Sequence, residues 1–268
     1  MEETFGARLR SRLDKYGPLC VGIDPSPAQL LAWGLDDSPA GLEKFSRTVV
    51  EEISDVAAVV KPQSAFYERW GSRGVAVLER TVRDLRAAGP LVILDAKRGD
   101  VESTMIAYAE AYLDPGSPLA ADALTVSPYL GLASLAPAIR QAHTNDAGLF
   151  ILARTSNPQA ERLQSHVAGQ IYDAVAGLNQ GGTPLGSIGV VVGATVADPG
   201  FDLSLLNGPI LAPGLGAQGA SPSDLARLFA GVRHAVVPSV SRAVTENPAR
   251  IREITLRYRD DCAHHLAS

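Results

Sequence analysis

Leu91-Val92-Ile93-Leu94-Asp95-Ala96-Lys97-Arg98-Gly99-Asp100 begins with four branched aliphatic residues and then places four charges within six positions. A short apolar run without polar alternation is how a strand buried on both faces reads, and such strands build parallel sheets covered by helices. Residues two apart on a strand share a face, so Asp95 and Lys97 are expected to project together. Asp100 follows past a glycine that permits a sharp turn. Carboxylates flanking a lysine keep it protonated, and a protonated lysine can hand a proton to a developing carbanion. The plainer reading of an isolated Asp-x-Lys is a structural ion pair at a strand end.

Seven other runs share this character, at residues 19–24, 57–63, 123–128, 148–154, 188–194, 209–216 and 234–242, with the first run spanning 91–97. Helix-like stretches lie among them at 42–55, 74–88, 160–178, 223–233 and 248–266; in the second, Val75, Leu78, Val82 and Leu85 form the apolar side. Eight buried strands alternating with helices imply a parallel α/β sheet, and eight is the number that closes a (β/α)8 TIM barrel of roughly 250 residues. The 268 residues are therefore expected to form one barrel domain over 1–268, with an open doubly wound sheet as the alternative. With 46% hydrophobic residues, the chain can bury the core that such a barrel needs.

Polar residues gather at the C-terminal ends of these runs: Asp24, Lys61, Asp95 with Lys97, Ser127, Arg154 with Thr155, and Arg242. The N-terminal ends hold nothing comparable. A charge at the end of a buried strand is costly unless paired or solvated, and the C-terminal rim is where barrels build their active sites. With Lys61 and Asp24 expected on neighbouring strands, the Asp95–Lys97–Asp100 array favours chemistry over a lone ion pair.

A second motif, Leu211-Ala212-Pro213-Gly214-Leu215-Gly216-Ala217-Gln218-Gly219, follows the seventh strand. Its glycines let backbone N–H groups approach a phosphate, and Gln218 can reach over a bound ligand. Arg242, at the end of the eighth run, offers a planar fork for the same phosphate. A glycine loop and an arginine at consecutive strand ends match the phosphate site common in barrels after strands seven and eight.

Other features exclude functions. A formal net charge of -5 argues against a general nucleic-acid binder, without opposing capture of one small phosphate. Cys20 and Cys262 are too far apart in sequence to suggest a disulfide framework and have no metal-type neighbours. His143, His166, His234, His264 and His265 show no metal-ligand spacing, so no metal is expected. There is no Walker loop and no Gly-x-Gly-x-x-Gly opening the first helix. The acidic start, Met1-Glu2-Glu3-Thr4-Phe5, lacks an apolar leader, and no apolar run reaches membrane-spanning length, so a soluble cytoplasmic protein is expected. Trp33 and Trp70 read as packing residues. The segment 155–187 is expected to contain a helix and a turn near Gly181-Gly182, with no functional reading.

Taken together, these motifs resemble the orotidine 5'-phosphate decarboxylase family, and within it the longer bacterial group that includes actinobacterial forms. The resemblance runs from Gly22-Ile23-Asp24-Pro25 through Val60-Lys61-Pro62-Gln63, Asp95 to Asp100, Ser103-Thr104 and Val126-Ser127-Pro128-Tyr129 to the glycine loop and Arg242. It implies conversion of orotidine 5'-phosphate to uridine 5'-phosphate and CO2, in pyrimidine biosynthesis, without a cofactor. By the same resemblance, Lys97 gives the proton to C6 and Asp95 sits beside the substrate carboxylate. Asp24 and Lys61 hold ribose hydroxyls and complete the charge array. Asp100 and Thr104 reach the ligand of a neighbouring subunit in a homodimer. Ser127 meets the pyrimidine edge, Gln218 bridges pyrimidine and phosphate, and Pro213, Gly219 and Arg242 serve the phosphate region.

Two other readings stay open at this point. A sugar-phosphate lyase or decarboxylase would use the same carboxylates to hold Mg2+, and metal dependence separates it. A non-catalytic nucleotide-binding or regulatory barrel is the other, since fold does not fix function. Mere binding has no need of a protonated lysine between carboxylates.

Overall fold

The computed structural model describes residues 3–267; Met1, Glu2 and Ser268, which belong to the N-terminal stretch and the 1–268 span read above, lie outside the described residues. All eight expected strands form: β1 (Cys20–Ile23), β2 (Val59–Pro62), β3 (Leu91–Arg98), β4 (Ala123–Val126), β5 (Gly148–Arg154), β6 (Ile188–Val192), β7 (Ile210–Pro213) and β8 (Val236–Val240). They pair in parallel in sequence order, and β1 pairs with β8 as well as β2, so the sheet closes into a barrel and the doubly wound alternative fails.

Helices clothe the outside. α1 (Phe5–Tyr16) precedes β1, and α2 (Pro27–Ala32) and α3 (Pro39–Ile53) follow it. α4 (Ala65–Glu68) and α5 (Gly71–Ala88) follow β2, α6 (Glu102–Leu113) follows β3, α7 (Ala136–Thr144) follows β4 and α8 (Glu161–Leu178) follows β5. α9 (Pro222–Leu228) follows β7, and α10 (Arg242–Thr245) and α11 (Ile251–Leu266) close the chain. The β6–β7 connection carries no α-helix. The helix expected over 223–233 stops at Leu228, because the chain turns there to seat Phe229 in the core before re-entering the barrel. Sequence signals set several helix starts: Ser26 and Ser38 cap α2 and α3, and Ser221 with Asp224 forms a capping box on α9. No helix among the described residues is long and apolar enough to cross a membrane.

The strands sort their side chains into two layers. Val60, Val92, Leu94, Leu124, Val126, Ile188 and Val190 face outward and join the helices in the larger core. Cys20, Val59, Leu91, Ile93, Ala123, Phe150, Val191, Leu211 and Val237 face inward and fill the barrel together with Phe5, Leu9 and Leu13 of α1. α1 therefore plugs the N-terminal end. Phe5 meets Phe150 edge-on at 6.1 Å, and Gly148 has no Cβ because one would lie 2.2 Å from the Phe5 ring. That rim carries an ion pair of its own. Arg8 pairs with Asp122 at 2.6 Å, and Asp122 also accepts the Val92 N–H at 2.9 Å, which ties α1 to the starts of β3 and β4.

Candidate active site

The inward layer continues toward the C-terminal rim and changes character as it goes. Two residues beyond Val59 stands Lys61, two beyond Ile93 stands Asp95, two beyond Ala123 stands Thr125, and two beyond Val237 stands Ser239. These residues line a cavity of about 590 Å³ together with Asp24, Gln63, Lys97, Leu152, Val191, Leu211, Pro213 and Ser241. Strand alternation thus turns a packed apolar interior into a polar floor of a size suited to a small ligand.

Asp95 is the hub of that floor. Its Oδ2 accepts from Lys61 Nζ at 2.7 Å and Gln63 Nε2 at 2.9 Å, and its Oδ1 from Lys97 Nζ at 2.6 Å and Thr125 Oγ1 at 2.8 Å. Asp95 and Lys61 are only 6% and 5% exposed. Burial works to raise the Asp95 carboxyl, but the charges and hydrogen bonds of Lys61 and Lys97 outweigh it and hold Asp95 well below the usual carboxylate range. Burial likewise works to lower Lys61, yet Asp95 and Asp24 outweigh it and push the ammonium above its ordinary value. At neutral pH this is a fixed anion between two amines, one buried and one reaching the cavity. With four donors on its two oxygens, Asp95 has its acceptor capacity filled from within the chain.

Lys97 does not arrive there by simple strand alternation. β3 pairs with β4 at Leu94–Leu124 and again at Arg98–Val126, so the register shifts between those points. Within that bulge Lys97 has φ +49, in the left-handed region, and its N–H donates to Thr125 Oγ1 at 3.0 Å in place of the ladder. A non-glycine residue there costs about 1–2 kcal/mol, and strain of this kind gathers at functional sites. Gly99, expected as a sharp turn, serves close approach instead: a Cβ would stand 2.4 Å from the Ser127 carbonyl oxygen.

The cavity wall completes the picture. Asp24 Oδ1 is buried with no hydrogen-bond partner among the described residues, a polar atom placed for a donor from a ligand. The β7 loop folds back on itself, with Gly214, Gly216 and Gly219 all at positive φ and a bridge between Leu215 and Ala220. Gln218 lies over Gly214, and it lines the cavity with Gly214, Leu215 and Ala217. Arg242, exposed at the start of α10, lines the same mouth. Opposite stands a rim that the sequence reading left without a role: Thr155, Ser156 and Asn157, with Ala160 and Gln164. Gln164 fixes this rim by accepting the Thr155 N–H at 2.6 Å and donating to its hydroxyl at 3.0 Å. Among the described residues, no three His, Cys, Asp or Glu side chains are grouped to hold a metal ion.

This arrangement has known relatives. The sequence pattern described as "Orotidine 5'-phosphate decarboxylase / HUMPS family" matches residues 17–255. The chain belongs to that family. It is 54% identical over 270 residues to the orotidine 5'-phosphate decarboxylase of Salinispora arenicola, covering 97% of both chains. It is 58% identical over 250 residues to that of Streptomyces coelicolor, covering 90% of both. Among solved structures, a Streptomyces avermitilis chain superposes with a TM-score of 0.96 at 53% identity, covering 100% of this chain and 97% of that one. The Leishmania donovani OMP decarboxylase superposes with a TM-score of 0.79 at 28% identity, covering 99% and 100%.

Of the residues that the decarboxylase resemblance singled out, Asp24, Lys61, Asp95, Lys97, Pro213, Gln218 and Arg242 meet at one cavity. The other four stand outside its lining. Asp100 Oδ1 accepts the Val101 N–H at 2.8 Å, and Thr104 is exposed on α6. Ser127 lies one residue past the end of β4, where its N–H donates to the Arg98 carbonyl at 2.8 Å, and it lines an adjoining apolar groove with Tyr129 and Leu132. Gly219 donates its N–H to the Gly216 carbonyl at 2.8 Å, so that group is spent within the loop.

Proposed function

We propose that this cavity decarboxylates orotidine 5'-phosphate to uridine 5'-phosphate and CO2, with Lys97 as the proton donor and no metal or cofactor, as a step of pyrimidine biosynthesis in the cytoplasm. The observation that carries this reading is the Lys61–Asp95–Lys97 cluster at the floor of a cavity whose mouth holds Gln218 and Arg242. The bond from C6 to the carboxylate breaks, CO2 leaves, and the electron pair stays on C6. Lys97 Nζ gives its proton to C6 and is later recharged from solvent. Before that transfer, the ammonium offers the developing charge a fixed positive partner. Asp95 cannot drift away from the substrate carboxylate, because four donors hold it. The unpartnered oxygen of Asp24 suits a ribose hydroxyl, and Arg242 with Gln218 suits the phosphate. The Thr155–Asn157 rim, rather than Ser127, is placed to meet the pyrimidine edge. The filled coordination of Asp95 favours this reading over one in which the same carboxylate ligates Mg2+.

In this reading the whole chain, 1–268, is one domain that works as a homodimer. Asp100 and Thr104, outside their own cavity, then face the site of the second subunit. The exposed apolar side chains of Val101, Ile106, Tyr129 and Leu130, on the segments after β3 and β4, supply surface for that contact. The test is the loss of orotidine 5'-phosphate followed by absorbance, with EDTA present throughout. Turnover is expected to survive chelation, and Lys97→Ala to lower kcat by several orders of magnitude. Turnover that needs added Mg2+, or that persists unchanged in Lys97→Ala, overturns the reading.

A further inference from the structure

We infer that Thr125 is a positioning residue that holds both ends of Lys97 in place. The inference rests on the reading of Lys97 as the proton donor. Thr125 is 1% exposed, inside the barrel, and sits on β4 between Leu124 and Val126, directly opposite the β3 bulge. Its hydroxyl has one proton and two lone pairs. The Lys97 N–H, 3.0 Å away, can only donate, so it takes a lone pair. Asp95, a carboxylate under the influence of two ammonium groups, can only accept, so the hydroxyl proton points to Asp95 Oδ1 at 2.8 Å. That same oxygen receives the Lys97 ammonium at 2.6 Å.

The result is a closed circuit. It runs from the Lys97 main chain to the Thr125 hydroxyl, on to Asp95 Oδ1, and back to the Lys97 side-chain terminus. One hydroxyl thereby compensates the ladder bond lost in the bulge, steadies the left-handed backbone at Lys97 and fixes the carboxylate oxygen against which the ammonium rests. A proton donor is effective only when its nitrogen stays within reach and line of the reacting carbon. The residue that sets both the root and the tip of Lys97 therefore governs the chemical step through Lys97, its hydroxyl being spent on the Lys97 N–H and Asp95 Oδ1. Gln63 anchors the other carboxylate oxygen and makes no bond to Lys97, so it does not share this role.

Three forms separate positioning from mere packing. Thr125→Val keeps the shape and loses both hydrogen bonds, Thr125→Ser keeps both and loses a methyl group, and Thr125→Cys is a second variant of similar size with a weak donor, should the valine form fail to fold. Kinetics on orotidine 5'-phosphate and crystal structures of each form are the measurements. Thr125→Val is expected to lower kcat about 100-fold with little change in KM, Thr125→Cys to fall between it and the native protein, and Thr125→Ser to recover most of the loss. In the valine structure Lys97 should leave the left-handed region, or its Nζ should part from Asp95 Oδ1. A native-like kcat in Thr125→Val or Thr125→Cys, a serine form as slow as the valine form, or an unmoved Lys97 would each overturn the inference. If the native protein fails to turn over orotidine 5'-phosphate, the functional reading falls, and the crystal structures still decide the role of Thr125.

Discussion

Replacing Asp95 with asparagine removes the charge at the centre of the site while keeping its shape, so the consequence can be worked from the hydrogen bonds. Four donors converge on the carboxylate, two on each oxygen. A carboxamide has one accepting oxygen and one donating NH2. However it is turned, the NH2 must face either Lys61 with Gln63 or Lys97 with Thr125, so two donors lose their acceptor. The Lys61 ammonium is the costly one, because its side chain is 7% exposed and Asp24 is the carboxylate left acting on it among the described residues. Removing one partner of a buried ion pair costs about 3–5 kcal/mol. In a chain of this size each kcal/mol moves the melting temperature by about 2 °C, so Asp95→Asn should melt about 6–10 °C below the native protein.

The sign of the pH dependence sharpens the test. Asp95 has a folded-state carboxyl held below its unfolded value, by Lys61 and Lys97 acting against burial. Its contribution is therefore fully present above about pH 4, where an unfolded aspartate ionises, and is lost as pH falls further. Asparagine carries no such proton. The stability gap between native and variant should be widest near neutrality and should narrow as pH drops below about 4. Urea unfolding followed by circular dichroism, run at pH 7 and at successively lower pH, measures it. A variant within about 1 kcal/mol of native at pH 7, or a gap that stays constant into acid, would refute the picture of a buried, charge-held Asp95.

Three other outcomes follow from the placement of residues. Arg242→Ala, at the mouth and away from the floor, should mainly raise KM in steady-state kinetics, with a smaller loss of kcat if phosphate binding also organises the loop. Ser156→Ala should impair kcat/KM more than Ser127→Ala, since Ser156 lines the cavity and Ser127 lies in the adjoining groove; the reverse order would return the pyrimidine edge to Ser127. Lys97→Ala and Asp100→Ala, each nearly inactive alone, should regain about a quarter of native activity after subunit exchange, because half the dimers are mixed and each mixed dimer has one intact site; no recovery despite proven exchange would place Asp100 in its own subunit's site.

What could be read from sequence, and what could not, divides along a physical line. Buried strands announce themselves by an unbroken apolar run, and a charge closing such a run is conspicuous because burial penalises it. That is why β1 to β8, Asp24, Lys61, Asp95, Lys97 and Arg242 were legible, and why the barrel followed from counting. The uncharged partners carry no such mark. Thr125 and Gln63 are ordinary strand-end residues until the register of β2, β3 and β4 sets them against Asp95. The bulge that turns Lys97 into a left-handed conformation is equally silent, since it depends on how two strands pair and not on the composition of one. Ser127 lies beyond the last paired residue of β4, so the strand pattern alone does not tell that it lines the adjoining groove and not the cavity. α1 is not among the helices expected from the sequence, and only closure of the barrel gives its Phe5 face a floor to seal. The candidate site was thus announced by the groups that are expensive to bury, while its geometry is held by neutral groups that only the tertiary fold selects.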